Sequence, residues 1–328
     1  MPGIALVTGA TGLVGNAIVR ALADAGTPVR ALVRDADRAR AMLPAEVRLV
    51  TGDVTEPETL PEAMAGVDLV FHAAGLPEQF LRDERQFDVV NRGGTRHVLD
   101  AAQAAGVRRV VHTSTMDVFG AERGGTLVET RPDAEPKPTA YERSKVAAER
   151  EVDRAVNNGQ DVVVVNPGAT YGPGPVVGGL NVFFERMLNG KVPMVPPGGM
   201  SVVYADNLAT AHLAAADKGR TGERYLIADG HASNRELAEL SAAECGRKVP
   251  RDAPTALMKV VAHATTPLGR LLHFQPLLTP GELAFLLWDP RIDTTKAQRE
   301  LGFTPLPVDA GVRRTMAWLR NRAGGHDG

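Results

Sequence analysis

The chain has 328 residues, of which 44% are hydrophobic and 23% charged, and its formal net charge is −2. This balance is typical of a globular protein with one large domain or two closely packed ones, and it lacks the basic surplus of a nucleic-acid-binding protein. A single cysteine, Cys245, excludes an internal disulfide framework. No apolar run is long enough to cross a bilayer, and the eight histidines show no metal-ligand spacing. We therefore expect a cytoplasmic protein without nucleic-acid binding, membrane insertion or a metal site.

The first half of the chain alternates apolar strands with helical segments. We predict strands at IALVT, VRALV, VRLVT, DLVFHA, RRVVHTS and DVVVVNP. Helical segments such as GNAIVRALADAG and GTRHVLDAAQAAG lie between them, and both end in glycine, the usual stop signal. Continuous apolar strands that alternate with helices indicate a parallel sheet covered on both faces. The prediction is an α/β fold, a Rossmann doubly wound parallel sheet, with the dinucleotide-binding domain mainly over residues 1–172.

The character of the sequence changes in the second half. The segments YGPGPVVGGL and KVPMVPPGGM are rich in Gly and Pro and predict loops. Helices mixed with short strands such as RYLIAD follow them. We predict that residues 173–328 form mainly a smaller substrate-binding cap, with some segments returning to the Rossmann sheet. LPEQFLRD, residues 76–83, interrupts the strand–helix pattern and is a candidate substrate loop.

A glycine-rich loop follows the first strand. VTGATGLVG places Gly9, Gly12 and Gly15 between that strand and the helix after it. Small residues there let the backbone turn tightly and approach a pyrophosphate, which then lies against the positive end of the helix. We predict that this loop binds a dinucleotide through these glycines and through Thr11, Leu13 and Val14.

The end of the second strand bears on the choice of dinucleotide. NAD-selective enzymes usually place a carboxylate there to bind the ribose hydroxyls, but this position is Val33. Arg34 follows, and its guanidinium can pair with the 2′-phosphate of NADP. The alternative is that Asp35 binds the ribose; we favour NADP(H) over NAD(H). At the end of the third strand, Asp53 and Val54 are candidates to frame the adenine.

Tyr141 and Lys145 are four residues apart in the helix-forming run AYERSKVAAE. A phenol with a pKa near its reference value of ~10 is a poor base at neutral pH and needs a neighbouring cation to favour the phenolate. A lysine one helical turn further on lies on the same face and supplies that cation. Such pairs also occur by chance, so the interpretation depends on the motifs around them.

An ordered series of such motifs resembles the extended short-chain dehydrogenase/reductase family, of the NAD-dependent epimerase/dehydratase type. The series comprises the glycine loop, GDV (52–54), FHAAG (71–75), NRGGT (91–95), HTSTMDVFG (112–120), YERSK (141–145) and NPGATYGPG (166–174). It continues with VVYADNLATAHLAA (202–215) and with DTTKAQRELGFTP before Trp318. The segment 255–288 is similar to the dihydroflavonol reductase and 3β-hydroxysteroid dehydrogenase-like branches.

The resemblance implies a role for each motif. Tyr141 would be the general acid/base, Lys145 would also hold the nicotinamide ribose, and Thr115, with Ser114 as a possible substitute, would bind the substrate oxygen. Asn91 would anchor a water relay or have a structural role. Further predicted cofactor contacts are Ala73, Ala74, Pro167 and Thr170, and a further predicted substrate contact is Asn181. The family also implies a possible homodimer through the helix that carries the tyrosine and the one before it.

The predicted substrate depends on a missing cation. Members that act on nucleotide sugars usually carry an arginine seven residues before the position of Asp206, where this chain has Gly199. No arginine or lysine lies between Lys191 and Asp206, so a diphosphate would lack its usual partner there; Arg186 or Arg270 could replace it. We predict an NADP(H)-dependent oxidoreductase that interconverts a lipophilic or aromatic ketone or aldehyde with its alcohol. The alternatives are an NAD-dependent epimerase or dehydratase of a sugar, and a non-catalytic dinucleotide sensor.

Overall fold

The computed structural model describes residues 3–77, 81–120, 124–130, 137–175, 179–272 and 279–324. The strands in this part of the chain are β1 (Ile4–Thr8), β2 (Val29–Val33), β3 (Arg48–Thr51), β4 (Val67–His72), β5 (Arg109–Thr113), β6 (Thr126–Leu127), β7 (Val162–Pro167), β8 (Ala169–Tyr171), β9 (Met194–Val195), β10 (Gly199–Tyr204), β11 (Arg224–Ile227), β12 (Gly230–Ser233), β13 (Arg251–Asp252) and β14 (Arg291–Ile292).

The helices alternate with these strands. They are α1 (Leu13–Asp24), α2 (Ala36–Arg40), α3 (Leu60–Met64), α4 (Arg85–Phe87), α5 (Gly94–Ala104), α6 (Ala140–Asn157), α7 (Gly179–Leu188), α8 (Ala205–Lys218), α9 (Asn234–Cys245), α10 (Thr255–Leu272), α11 (Pro280–Trp288), α12 (Thr295–Leu301) and α13 (Val308–Gly324). A π-helical turn over Asp88–Gly93 joins α4 to α5. None of the helices in the described ranges is both long and apolar enough to span a bilayer.

A seven-stranded parallel sheet organises the first half of the chain. Its strand order is β11-β7-β5-β4-β1-β2-β3. All six predicted strands lie within one residue of their predicted bounds, and the doubly wound fold is confirmed. The segment RYLIAD supplies β11 at the edge beside β7. The strand order reverses at β1, which lies between β2 and β4, and ligands of such sheets bind at the carboxyl ends of the strands there.

The two faces of the sheet are covered by different helices. Ala5 and Val7 of β1 face a core shared with Ile18 and Leu22 of α1 and with residues of α8. Leu6, between them, faces the opposite core, which α3, α5 and α6 complete. This alternation follows from the two-residue period of a strand, and it explains why the strands are apolar at every position.

A further core, separate from the two that flank the large sheet, lies around a three-stranded sheet of β8, β10 and β12. The aromatic rings of Tyr171 and Phe184 pack edge to face at 5.6 Å, and Met316 of α13 is fully buried in the same cluster. Helices α7, α9 and α13 surround this sheet. The proposed division of the chain into domains at residue 172 stays a prediction.

Candidate active site

The glycine loop lies at the point where the sheet order reverses. Gly9 has a φ of +69°, and a Cβ there would lie 2.6 Å from the backbone of Ala73 and Ala74. Gly15 packs against the Gly9 carbonyl, which brings α1 close to β1. Only a chain without side chains at these two positions can make this approach.

The N-terminus of α1 is open to a ligand. Gly12, its N-cap, is exposed, and α1 has neither a side-chain cap nor an acidic residue in its first turn. The first N–H groups of the helix are therefore available to an anion, and the residues present fit the pyrophosphate of a dinucleotide. The half-buried Thr11, Leu13 and Val14 belong to the same loop.

Arg34 and Asp35, the two candidate ligands of the ribose, follow β2 and have different environments. Val33 is buried, whereas Arg34 and Asp35 are exposed. The Asp35 carboxylate is the N-cap of α2, where Oδ1 accepts a hydrogen bond of 2.9 Å from the Arg38 N–H. Asp35 thus has a structural role that orients its side chain toward the helix.

Asp53 and the two alanines lie at the carboxyl ends of neighbouring strands. Oδ1 of Asp53 accepts from both the N–H and the hydroxyl of Thr55, each at 2.9 Å. Ala74 N donates to Thr8 Oγ1 at 3.3 Å, so the turn after β4 is fixed beside Gly9. Val54 is buried directly after Asp53. The fold therefore brings these four predicted cofactor contacts to one edge of the sheet.

Helix α6 presents Tyr141 and Lys145 in its first two turns. The helix begins at a capping box, in which Thr139 accepts from the Glu142 N–H and Glu142 accepts from the Thr139 N–H. The half-buried Tyr141 ring lies edge to face on Phe87, with centroids 6.0 Å apart. The capped start fixes where the tyrosine leaves the helix.

Lys145 is almost fully buried. Its ammonium donates to the Thr113 carbonyl at 3.0 Å, next to the carboxyl end of β5. Burial lowers the pKa of Lys145 to about 8, and the nearby carboxylates of Glu149 and Asp117 oppose that shift. A lysine in this environment is charged at neutral pH and titrates much nearer to it than an exposed lysine.

Thr115 contacts a carboxyl group that we did not predict. Its hydroxyl donates to Oδ2 of Asp117 at 2.7 Å, and both residues are buried. The other Asp117 oxygen is buried and has no hydrogen-bond partner among the described residues. Burial raises the pKa of Asp117 to about 6, with a further contribution from Glu142, while the Thr115 hydrogen bond lowers it. The sequence TSTMD shows that Asp117 lies two residues after Thr115. It does not show that Asp117 is buried, and burial is what raises its pKa.

Ser114 faces away from Thr115 into a buried polar network. Its hydroxyl donates to Oε1 of Glu149 at 2.5 Å, and the Asn166 amide donates to the same oxygen at 2.7 Å and to the Thr115 carbonyl at 3.1 Å. Oε2 of Glu149 accepts from Arg224 Nε at 2.5 Å. This network gives Ser114 a buried protein partner for its one proton, and its role as a substrate ligand stays a prediction.

Asn91 connects the segment after β4, at Leu76, to helix α6, at Ser144. Its Oδ1 accepts from Leu76 N at 2.7 Å, and its Nδ2 donates to Ser144 Oγ at 2.9 Å. The Ser144 hydroxyl in turn donates to the Tyr141 carbonyl at 2.6 Å. This geometry gives Asn91 a structural role at the start of α6; a water relay through it stays a prediction.

Two further predicted contacts have local partners. Asn181 is buried, and its amide binds both the N–H and the carbonyl of Gly172, at 3.0 and 2.8 Å. These bonds give Asn181 a structural role at the turn after β8, and its substrate contact stays a prediction. The Thr170 hydroxyl donates to Gly168 O at 3.3 Å, and Pro167 is buried at the end of β7.

Three buried histidines lie near the end of β5, where Lys145 contacts Thr113. His72 and His112 occupy paired positions on β4 and β5, with ring centroids 5.2 Å apart, and His212 of α8 contacts Thr113 Oγ1 at 2.9 Å. Burial lowers the pKa of His72 to about 3 and that of His212 to about 4. At neutral pH these rings are therefore uncharged and do not repel the Lys145 ammonium. Within the described ranges, no group of His, Cys, Asp or Glu is arranged to hold a metal ion.

Gly199 has no room for a side chain. A Cβ there would lie 2.7 Å from both the Ala232 carbonyl and Oδ1 of Asp289. That Asp289 oxygen is also 2.7 Å from His231 Nε2. An arginine cannot occupy this position without moving the backbone of β12, and a carboxylate already lies beside it.

Together, the sheet, the glycine loop and the tyrosine–lysine pair define a dinucleotide-dependent enzyme. A model of the NAD dependent epimerase/dehydratase family matches residues 5–228. The chain therefore belongs to this family, within the extended short-chain dehydrogenase/reductases, and is an NAD(P)-dependent enzyme of that type. The resemblance that the motifs indicated is confirmed.

Relatives cover almost the whole chain. "Sterol demethylase protein B" of Methylococcus capsulatus is 34% identical, covering 97% of this chain and 98% of the relative. A "3 beta-hydroxysteroid dehydrogenase/Delta 5-->4-isomerase" of Mycobacterium tuberculosis is 33% identical, covering 93% and 86%. The solved structure of DesIV, a dTDP-glucose 4,6-dehydratase from Streptomyces venezuelae with NAD bound, has a TM-score of 0.80 at 24% identity and covers 98% of both chains. This structural likeness shows the fold.

Proposed function

We propose that the protein is an NADP(H)-dependent oxidoreductase that interconverts a lipophilic or aromatic ketone or aldehyde with its alcohol. The observation that carries the substrate class is the environment of Gly199. A sugar nucleotide needs clustered cations for its diphosphate. Here the usual position has no space for an arginine, and Asp289 adds negative charge. Arg186, one candidate replacement, is exposed on α7, and the side chain of Arg270 lies outside the described residues.

The relatives support a lipophilic substrate. Two proteins at least 33% identical carry names that refer to sterols or steroids. The apolar segment 255–288 adds little to this support, because Phe285 packs against the core around β8, β10 and β12 and against the residues around Met116. Phe274, in the same segment, lies outside the described residues.

The preference for NADP(H) rests on the end of β2. Asp35 caps α2 through the Arg38 N–H, whereas Arg34 is exposed at the strand end. A guanidinium matches a phosphate with two parallel hydrogen bonds, which makes Arg34 the best candidate to bind the 2′-phosphate. The predicted homodimer and cytoplasmic location stay predictions.

The chemistry divides between the dinucleotide and the chain. A nicotinamide dinucleotide held by the glycine loop would supply the hydride to the carbonyl carbon in reduction and would accept it in oxidation. Tyr141 donates its phenolic proton to the carbonyl oxygen, and the resulting phenolate regains a proton from solvent. Lys145 stabilises that phenolate by its charge and is held by the Thr113 carbonyl. Thr115 orients the substrate oxygen when its own proton is not donated to Asp117.

The test is turnover of reduced nicotinamide by the purified protein with lipophilic ketones and aldehydes. We expect consumption of NADPH faster than that of NADH, and a loss of ~100- to 10,000-fold in the Tyr141→Phe variant. Dinucleotide binding should persist in that variant, because the glycine loop is untouched. If no carbonyl is reduced and NAD is released when the protein is denatured, the alternative epimerase or dehydratase activity replaces this proposal. Unchanged turnover in Tyr141→Phe would contradict the role of the tyrosine.

A further inference from the structure

Helix α10 has an unusually apolar exposed side. Among the described residues, eight large hydrophobic side chains are exposed, and four of them lie on this helix: Leu257 at 48%, Val260 at 66%, Leu268 at 45% and Leu272 at 61%. Large apolar side chains concentrated on one element usually mark an interaction surface, whereas single ones need no explanation.

The helical period places these residues on one side. At about 3.6 residues per turn, Leu257, Val260 and Leu268 share a face with Ala264 and Pro267. The opposite side faces the protein, since Ala262 is fully buried and Gly269 is also buried. The exposed apolar face is thus the outer side of a helix whose inner side is already packed.

The border of this face is basic. Lys259 and His263 are exposed and one turn apart, and His263 Nδ1 lies 2.8 Å from the Lys259 carbonyl. The sequence has no Asp or Glu between Asp252 and Glu282, and Asp252 is paired with Arg235 at 2.8 Å. Exposed Arg251 lies just before the helix. An apolar face bordered by basic side chains, without acidic residues, is typical of helices that lie in the plane of a membrane interface.

We propose that α10 docks the protein on the surface of an anionic phospholipid bilayer. The apolar face of such a helix is buried about 5–10 Å into the boundary between headgroups and acyl chains, while its basic border contacts the headgroups. A second copy of the chain fits this face less well, because two helices without acidic residues offer no complementary charge to each other. This docking is independent of the reaction proposed above, and it does not require a spanning helix.

The test is flotation of the full-length protein with unilamellar vesicles of phosphatidylcholine, with and without 30% phosphatidylglycerol. We expect binding to the anionic vesicles that weakens as salt is raised. Val260→Glu and Leu268→Glu should each weaken partitioning at least about tenfold, since an apolar side chain is replaced by a charge. Lys259→Gln should weaken it about fivefold, the effect of one cation near an anionic surface.

The matched control is Val89→Glu, because Val89 is 54% exposed and lies on the π-helical turn rather than on α10. It should leave partitioning unchanged, and thermal unfolding of every variant should confirm that it is folded. The proposal is overturned if the wild type binds neither vesicle, or if the α10 variants bind as the wild type does. It is also overturned if Val260→Glu converts a dimer to a monomer in the absence of lipid, since a second copy then covers the face.

Discussion

The hydroxyl of Thr115 donates its hydrogen bond to Oδ2 of Asp117, at 2.7 Å. An ionised carboxylate only accepts, so the single Thr115 proton is committed to it while Asp117 is charged. A protonated Asp117 can instead donate to the Thr115 oxygen, which leaves the Thr115 proton for the substrate. If Thr115 binds the substrate oxygen as proposed, the ionisation of Asp117 therefore controls whether the Thr115 proton is available to that oxygen.

The first prediction concerns the pH dependence of reduction. As pH falls through about 6, the pKa to which burial raises Asp117, kcat/KM of the wild type should rise because Thr115 becomes a donor to the substrate. An added donor to a developing oxyanion typically contributes about 100-fold or more, so a tenfold rise is a conservative expectation. Asp117→Asn supplies a permanent donor to Thr115, and its profile between pH 5 and 7 should be flat. A variant that keeps the wild-type slope would contradict the coupling.

The same substitution should change stability with a definite sign. Burial raises the pKa of Asp117 from 3.8 to about 6, so its contribution to stability is fully present below pH 3.8 and is lost as pH rises through 6. The difference corresponds to roughly 3 kcal/mol at alkaline pH. Asp117→Asn should raise the free energy of unfolding by up to that amount at pH 8 and change it little at pH 3.5. Denaturant unfolding at the two pH values measures this, and equal effects at both would refute it.

A third prediction follows from the burial of Lys145, which lowers its pKa to about 8. In the proposed mechanism the Lys145 ammonium favours the Tyr141 phenolate, so kcat/KM should fall as pH rises above about 8. Removing the Asp117 carboxylate takes away a charge that favours the ammonium, and Asp117→Asn should move this fall to lower pH. The measurement is a pH profile of wild type and variant with saturating dinucleotide. An alkaline limb that does not move would mean that another group titrates there.

Much of the fold was accessible from the sequence because its signals are local. The Val-rich strands, the glycine-terminated helices and the glycine loop each depend on residues a few positions apart. Tyr141 and Lys145 were found in the same way, since four residues make one helical turn. The periodicity also predicted that α6 is a helix, but it did not show that Lys145 is buried against the Thr113 carbonyl.

The parts that were missed depend on contacts between distant residues. Glu149 pairs with Arg224 across 75 positions, and Gly199 lies beside Asp289, which is also remote in the sequence. Ser114 and Thr115 are adjacent, and strand geometry points successive side chains to opposite sides. The position of Glu149 decides that Ser114, and not Thr115, contacts the Glu149 carboxylate. The sequence near Ser114 and Thr115 does not contain that information.

The fourth prediction tests the buried ion pair. Glu149 is completely buried, and its carboxylate holds Ser114, Asn166 and Arg224. Glu149→Gln leaves Arg224 without its buried partner, and breaking such a pair costs about 3–5 kcal/mol in free energy of unfolding. Activity should fall as well, because Asn166 positions the Thr115 carbonyl.

The matched control removes the other carboxylate of the same arginine. Arg224 also pairs with Asp153 at 2.8 Å, but the Asp153 side chain is 52% exposed. Asp153→Asn should therefore cost at most ~1 kcal/mol, as for other exposed pairs. Denaturant unfolding of the two variants compares the pairs directly. Equal costs would show that burial does not distinguish them.

The last prediction concerns dinucleotide selection by Arg34. If its guanidinium binds the 2′-phosphate, Arg34→Ala should raise KM for NADPH by at least about tenfold, the loss of a charge-assisted hydrogen bond of about 1.5–3 kcal/mol. KM for NADH should change little, since that dinucleotide has no phosphate there. The control is Arg38→Ala, which keeps the N–H that Asp35 caps and removes only the neighbouring exposed guanidinium. A parallel loss for both dinucleotides in Arg34→Ala would mean that the residue supports the loop between β2 and α2, and that the cofactor preference lies elsewhere.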